Sequence, residues 1–157
     1  MAMKAEYINT FIEAAQSVMH MVCDADAKIG KLHLRNSPYS VNQVIIMIGV
    51  IGKIKGQVWF ELSNETARNI ASIMMGGVPI PELDEISKSA VSEMGNMIMG
   101  NTSTLFANQS INIDITPPSL LTGEKIELSN RLSTIVVPLN LEGIGTVSIN
   151  VAAEEVH

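Results

Sequence analysis

The chain has 157 residues, 46% of them hydrophobic and only 17% charged, with a formal net charge of −6 and a sequence pI near 5.0. That balance fits one buried core in a single globular domain and argues against disorder, while the shortage of clustered Lys and Arg excludes a general binder of nucleic-acid phosphates. No apolar run reaches the roughly 18 residues of a membrane-spanning helix, and Glu6 and Glu13 stand where a secretory leader would be basic and then apolar, so a cytoplasmic protein without membrane insertion is expected.

Taken in chain order, residues 4–23 predict an amphipathic helix, with Ile8, Phe11, Ile12, Ala15, Val18, Met19 and Val22 at helical spacing. Cys23, the single cysteine, closes it and reads as a small core residue. Residues 31–35 predict a short strand. Residues 43–51 and 53–62, rich in Val and Ile and divided near Gly52, predict an antiparallel pair. Ser63 or Asn64 caps a second helix over residues 64–76, which Gly76, Gly77, Pro79 and Pro81 end. A third, longer helix is expected from Asp84 to about residue 107. Residues 111–115 then form a strand stopped by Pro117 and Pro118, residues 122–131 read as a polar surface insertion, and residues 134–141 and 146–151 make a closing hairpin. The expected class is α/β in the α+β sense: an antiparallel sheet packed with long helices. His20, His33 and His157 lack ligand spacing with one another or with carboxylates, so no metal site is expected on this chain.

The pattern also reads as a degenerate internal duplication within one domain spanning residues 1–157. Half-repeats at about 4–62 and 84–152 would be joined by the 64–76 helix. Glu13 and Gln16 stand before Pro38 with the same spacings that Glu93 and Asn96 keep before Pro118, and Gly56-Gln-Val-Trp-Phe matches Gly145-Thr-Val-Ser-Ile.

The third helix carries the candidate chemistry. At about 100° per residue, Ser89, Glu93, Asn96 and Gly100 fall within roughly 60° of one another, whereas Val91, Met94, Ile98 and Leu105 cluster nearly opposite. One face can pack, and the other presents a carboxylate beside an amide. Gly100 would remove side-chain bulk where a second surface approaches, although an interior glycine costs a helix about 1 kcal/mol relative to Ala.

Ser89, Glu93, Asn96 and Pro118 resemble the signature of the CheC/CheX chemotaxis phosphatases: Ser or Asp, three residues, Glu, two residues, Asn, then a proline, here one residue short at the last gap. Gly52-Lys-Ile-Lys-Gly56-Gln-Val and Ala71-Ser-Ile-Met-Met-Gly76 are similar to that family as well, and the chain is most like its shorter, CheX-type members with one intact signature. The resemblance implies hydrolysis of the aspartyl phosphate on a CheY-like response-regulator receiver. Asn96 would orient the attacking water and Glu93 would pair with the receiver's active-site Lys. Ser89 and Gly100 are candidate partner-contacting positions, and Glu13 with Gln16 would be a degenerate second site. Mg²⁺ is expected on the receiver and no cofactor on this chain, which is expected to pair as a homodimer through sheet edges. The alternative is a receiver-binding or flagellar-switch-like module of the same fold that binds without hydrolysis.

Overall fold

A computed structural model describes residues 3–36 and 39–157, with backbone alone at 39–42. The elements in order are α1 (Ala5–Cys23), β1 (Ala27–Ile29), β2 (His33–Arg35), β3 (Tyr39–Gly52), β4 (Ile54–Leu62), α2 (Asn64–Met74), α3 (Glu85–Asn108), β5 (Ile113–Ile115), β6 (Ser119–Leu128), β7 (Thr134–Leu141) and β8 (Gly145–Glu155). All eight strands join one antiparallel sheet in the order β1-β7-β8-β4-β3-β5, with β2 also on β7 and β6 also on β3. The class is therefore α+β, as expected.

The helices take one face of this sheet because alternate strand residues are apolar. Val44, Ile46, Ile48 and Val50 of β3, Val58, Phe60 and Leu62 of β4, and Val147, Ile149 and Val151 of β8 form one core with Phe11 of α1, Ile70 of α2, and Met94 and Ile98 of α3. Phe106 anchors the far end of α3, meeting Phe11 and Tyr7 edge-on at centroid distances of 5.6 and 5.8 Å. A smaller cluster of Ile45, Trp59 and Ala152 occupies the opposite face, covered by Ile126, Leu128 and Leu132.

Those covering residues correct one expectation. Of residues 122–131, expected as a surface insertion, 122–128 belong instead to a ten-residue strand, β6, laddered along β3 from Met47 to Tyr39. Its pairing slips between Val41 and Gln43, where Gln43 takes a left-handed φ of 73°. The short strand β1 was likewise hidden, since three residues carry no readable period.

Exchanging β1–β4 for β5–β8 maps the pairing pattern onto itself: β1 and β2 lie on β7 as β5 and β6 lie on β3, and β4 lies on β8. At the centre Phe60 faces Ile149, the two positions matched by the Gly56 and Gly145 alignment. Pro38, aligned with Pro118 in the expected duplication, lies outside the described residues.

Candidate functional site

The site is built on α3, whose start is fixed by a capping box. The Asp84 carboxylate accepts from the Ser87 backbone N–H at 2.8 Å and from its hydroxyl at 2.7 Å, while Ser87 Oγ accepts from the Asp84 N–H at 2.8 Å. The hydrogen bonds from Ser87, backbone first and then side chain, hold the Asp84 carboxyl below its ordinary range. Farther along, Val91, Met94, Ile98 and Met99 are fully buried against the sheet. Gly95 lets the helix come close: a Cβ there would lie 3.0 Å from Ile46 Cγ2 and 3.3 Å from the Phe60 ring.

The opposite face of α3 carries the predicted residues. Ser89 and Glu93 are exposed, and Asn96 and Gly100 are half-buried. Among the described residues, neither Glu93 nor Asn96 makes a side-chain hydrogen bond or ion pair, so a free carboxylate and a free amide stand one turn apart. A Cβ on Gly100 would meet nothing within 4 Å, so the space beside it is open.

Ser89 and Glu93 form one wall of an open groove of about 570 Å³, with Glu85, Lys88 and Ser92, while Pro118, Leu120 and Thr122 line it from the segment entering β6 and from β6 itself. The groove thus brings Glu93 and Pro118, the residues of the sequence resemblance, to one place. Asn96 lies just outside this lining, on the turn that follows Glu93. Lys88 sits 3.6 Å from the Glu85 carboxylate, an exposed i,i+3 pair of small energetic weight. The wall made by Leu120 and Thr122, and the presence of Lys88 and Ser92, were not anticipated from sequence. Leu120 packs on the helix side and Ile126 and Leu128 on the opposite face, beyond the slip at Gln43, so no single alternation runs the length of β6.

Glu13 and Gln16, expected as a degenerate second site, are placed differently. Glu13 is exposed on α1, but Gln16 is half-buried and its amide donates to the Ala27 carbonyl of β1 at 3.1 Å. That donor stitches helix to strand. Cys23 is buried, and burial pushes its thiol pKa up, as suits a core residue. Among the described residues no group of three or more His, Cys, Asp or Glu side chains could hold a metal ion, and no helix is long and apolar enough to cross a membrane.

Comparison with known proteins bears on the family and the fold. The family model for chemotaxis phosphatase CheX matches residues 44–140. The chain is 28% identical over 139 residues to the CheY-P phosphatase CheX of Thermotoga maritima, covering 88% of this chain and 90% of that one. It superimposes on the CheX–CheY–BeF3–Mg²⁺ complex of Borrelia burgdorferi with a TM-score of 0.80 and 29% identity, covering 97% and 100% of the two chains. A CheC-like superfamily protein from Shewanella sp. PV-4 shares the fold, with a TM-score of 0.85, 22% identity and coverage of 97% and 99%. With a family match over more than half its length, on a sheet shared with these structures, the chain belongs to the CheX chemotaxis phosphatase family.

Proposed function

We propose that this chain hydrolyses the aspartyl phosphate of a CheY-like receiver docked on the α3 face, with Asn96 orienting the attacking water and Glu93 pairing with the receiver's active-site Lys. The observation that carries the reading is the free carboxylate of Glu93 and free amide of Asn96, side by side on a helix whose opposite face is buried. An acyl phosphate is already activated, so acceleration requires chiefly a water held in line with phosphorus. The water attacks phosphorus, the bond to the receiver's Asp oxygen breaks, the carboxylate is regenerated and inorganic phosphate leaves. An amide suits this task because its oxygen accepts from the water while its NH₂ group remains a donor for phosphoryl oxygens.

Glu93 suits recognition better than proton transfer, since its carboxylate is exposed, bonds to nothing else in the described residues and is available to an ammonium. Metal chemistry would be supplied by the receiver, in keeping with the Mg²⁺ in the Borrelia complex. Ser89 and Gly100 would lie under the docked partner, Ser89 in the groove and Gly100 in open space. The symmetric strand pairing supports the reading of two half-repeats, of which only the second keeps a free Glu and amide pair. Pairing of two copies through sheet edges also belongs to this reading, and light scattering showing a monomer at working concentration would contradict it.

The test is the decay of a phosphorylated CheY-type receiver in Mg²⁺, alone and with catalytic amounts of this protein. Acceleration is expected. A receiver that binds in its phosphorylated form yet loses phosphate at its unassisted rate would establish the binding-module alternative instead.

A further inference from the structure

We propose that Thr116 is a positioning residue for the groove beside Glu93, holding a one-residue bulge that turns Pro118, Leu120 and Thr122 toward α3. This rests on the functional reading above and deepens it. The neighbour of β3 changes from β5 to β6 at this point: Val50 pairs with Ile115 and Met47 with Ser119, so residues 48–49 of β3 face residues 116–118. Two residues against three make a bulge, and one extra residue reverses which side of the sheet every later side chain occupies. The reversal is visible in the packing. Ile113 and Ile115 of β5 belong to the helix-side core, and so does Leu120, an odd number of residues further on, while Leu121 is exposed. An unbroken strand would have turned Leu120 and Thr122 away from the helices and left Glu93 without an opposite wall.

Two prolines occupy the bulge, and neither carries an N–H with which to continue the ladder. Thr116 substitutes for it. Its backbone N–H donates to the Gly49 carbonyl at 3.0 Å, and its hydroxyl accepts from the Gly49 N–H at 2.8 Å and donates to the Pro117 carbonyl at 3.3 Å. The hydroxyl thereby ties β3 to the proline segment from both sides. The side chain at 49 must be absent for this to happen, because a Cβ there would lie 3.0 Å from Thr116 Cγ2 and 3.3 Å from its hydroxyl. Gly49 and Thr116 are therefore a matched pair, one supplying space and the other the hydrogen bonds.

The experiment compares wild type, Thr116→Val and Thr116→Ser in steady-state dephosphorylation of a CheY-type receiver, with affinity for the BeF3-activated receiver as a parallel readout. Valine keeps the shape and deletes the hydroxyl, leaving the Gly49 N–H without its acceptor. KM should rise about tenfold, the cost of one partly buried hydrogen bond expressed in affinity, while kcat stays within about twofold because Asn96 is untouched. Serine should restore KM. Wild-type KM in Thr116→Val, or an equal rise in Thr116→Ser, would overturn the proposal. Should the valine variant not fold, Gly49→Ala is expected to raise KM in the same way, since its Cβ would press on both Cγ2 and the hydroxyl of Thr116; a wild-type KM in Gly49→Ala overturns it. If wild type binds the receiver without hydrolysing it, the hydrolytic reading fails alone and affinity takes the place of KM. If it neither binds nor hydrolyses, both fall.

Discussion

Replacing Gly95 and Gly100 by alanine, one at a time, should stabilise the protein only at Gly100, although both glycines lie inside the same helix. In isolation each change favours the helix by about 1 kcal/mol, because glycine loses more backbone freedom on folding. At Gly100 nothing stands within 4 Å of the new methyl, so that gain should be realised nearly whole. At Gly95 the methyl would arrive 3.0 Å from Ile46 Cγ2 and 3.3 and 3.4 Å from two carbons of the Phe60 ring, and both side chains are fully buried in the centre of the core. Overpacking at such a site costs about 1–3 kcal/mol, which cancels the helix gain and leaves Gly95→Ala neutral to about 2 kcal/mol destabilised. The two variants should therefore differ by about 1–3 kcal/mol. Urea unfolding at constant m-value reads this directly, and in a domain of this size each kcal/mol corresponds to roughly 2–4 °C in Tm. If Gly95→Ala proved as stabilising as Gly100→Ala, α3 would not pack on Ile46 and Phe60 as described. Gly100→Ala carries a second consequence: a partner approaching that open face should bind it more weakly even as the protein becomes more stable.

Glu93→Lys should weaken binding of the activated receiver about a hundredfold or more, since like charges brought together cost several kcal/mol, and equal affinity for wild type and variant in a titration would remove the ion-pair assignment. Gln16→Ala should cost about 1 kcal/mol through the lost bond to Ala27 while leaving receiver turnover unchanged, and a drop in turnover with an intact fold would mean that the first-half face also works. Asp84 and Glu155 both have folded carboxyl pKa values below their ordinary ones. For Glu155, burial pushes upward, but the Tyr7 hydroxyl and the Lys4 ammonium outweigh it. A carboxyl depressed by folding stabilises the protein above its unfolded pKa and loses that contribution as pH falls through the folded one. The urea midpoint should thus drop below about pH 4, and less steeply in Asp84→Asn; identical acid profiles would exclude the cap as a contributor.

Much of the fold could be read locally. The α1 period, the α2 cap at Ser63 or Asn64, which the structure gives to Ser63 with its hydroxyl accepting from the Thr66 N–H at 3.0 Å, and the Asp84 start of α3 are all short-range signals that tertiary packing reinforces. The strand β6 escaped because Gly123, Glu124, Lys125 and Glu127 give it the polarity of a loop, and what makes it a strand is the long neighbour β3. The site divided in the same way. Helical spacing was enough to put Ser89, Glu93, Asn96 and Gly100 on one face, since it depends on α3 alone. The facing wall of Pro118, Leu120 and Thr122 depends on a bulge and on the β3 register, and no local pattern encodes either. Gln16 is similar: its free amide in the sequence becomes a stitch to β1 only once the chain has folded.

The central claim is that Asn96 orients the water, and the most direct test is to measure, for wild type and Asn96→Ala, both the turnover of a phosphorylated CheY-type receiver in Mg²⁺ and the affinity for the same receiver activated with BeF3. Asn96→Ala should bind within a few-fold of wild type and lose about a hundredfold or more in turnover, the scale expected when a reacting water is no longer held in place. Unchanged turnover in that variant would contradict that claim.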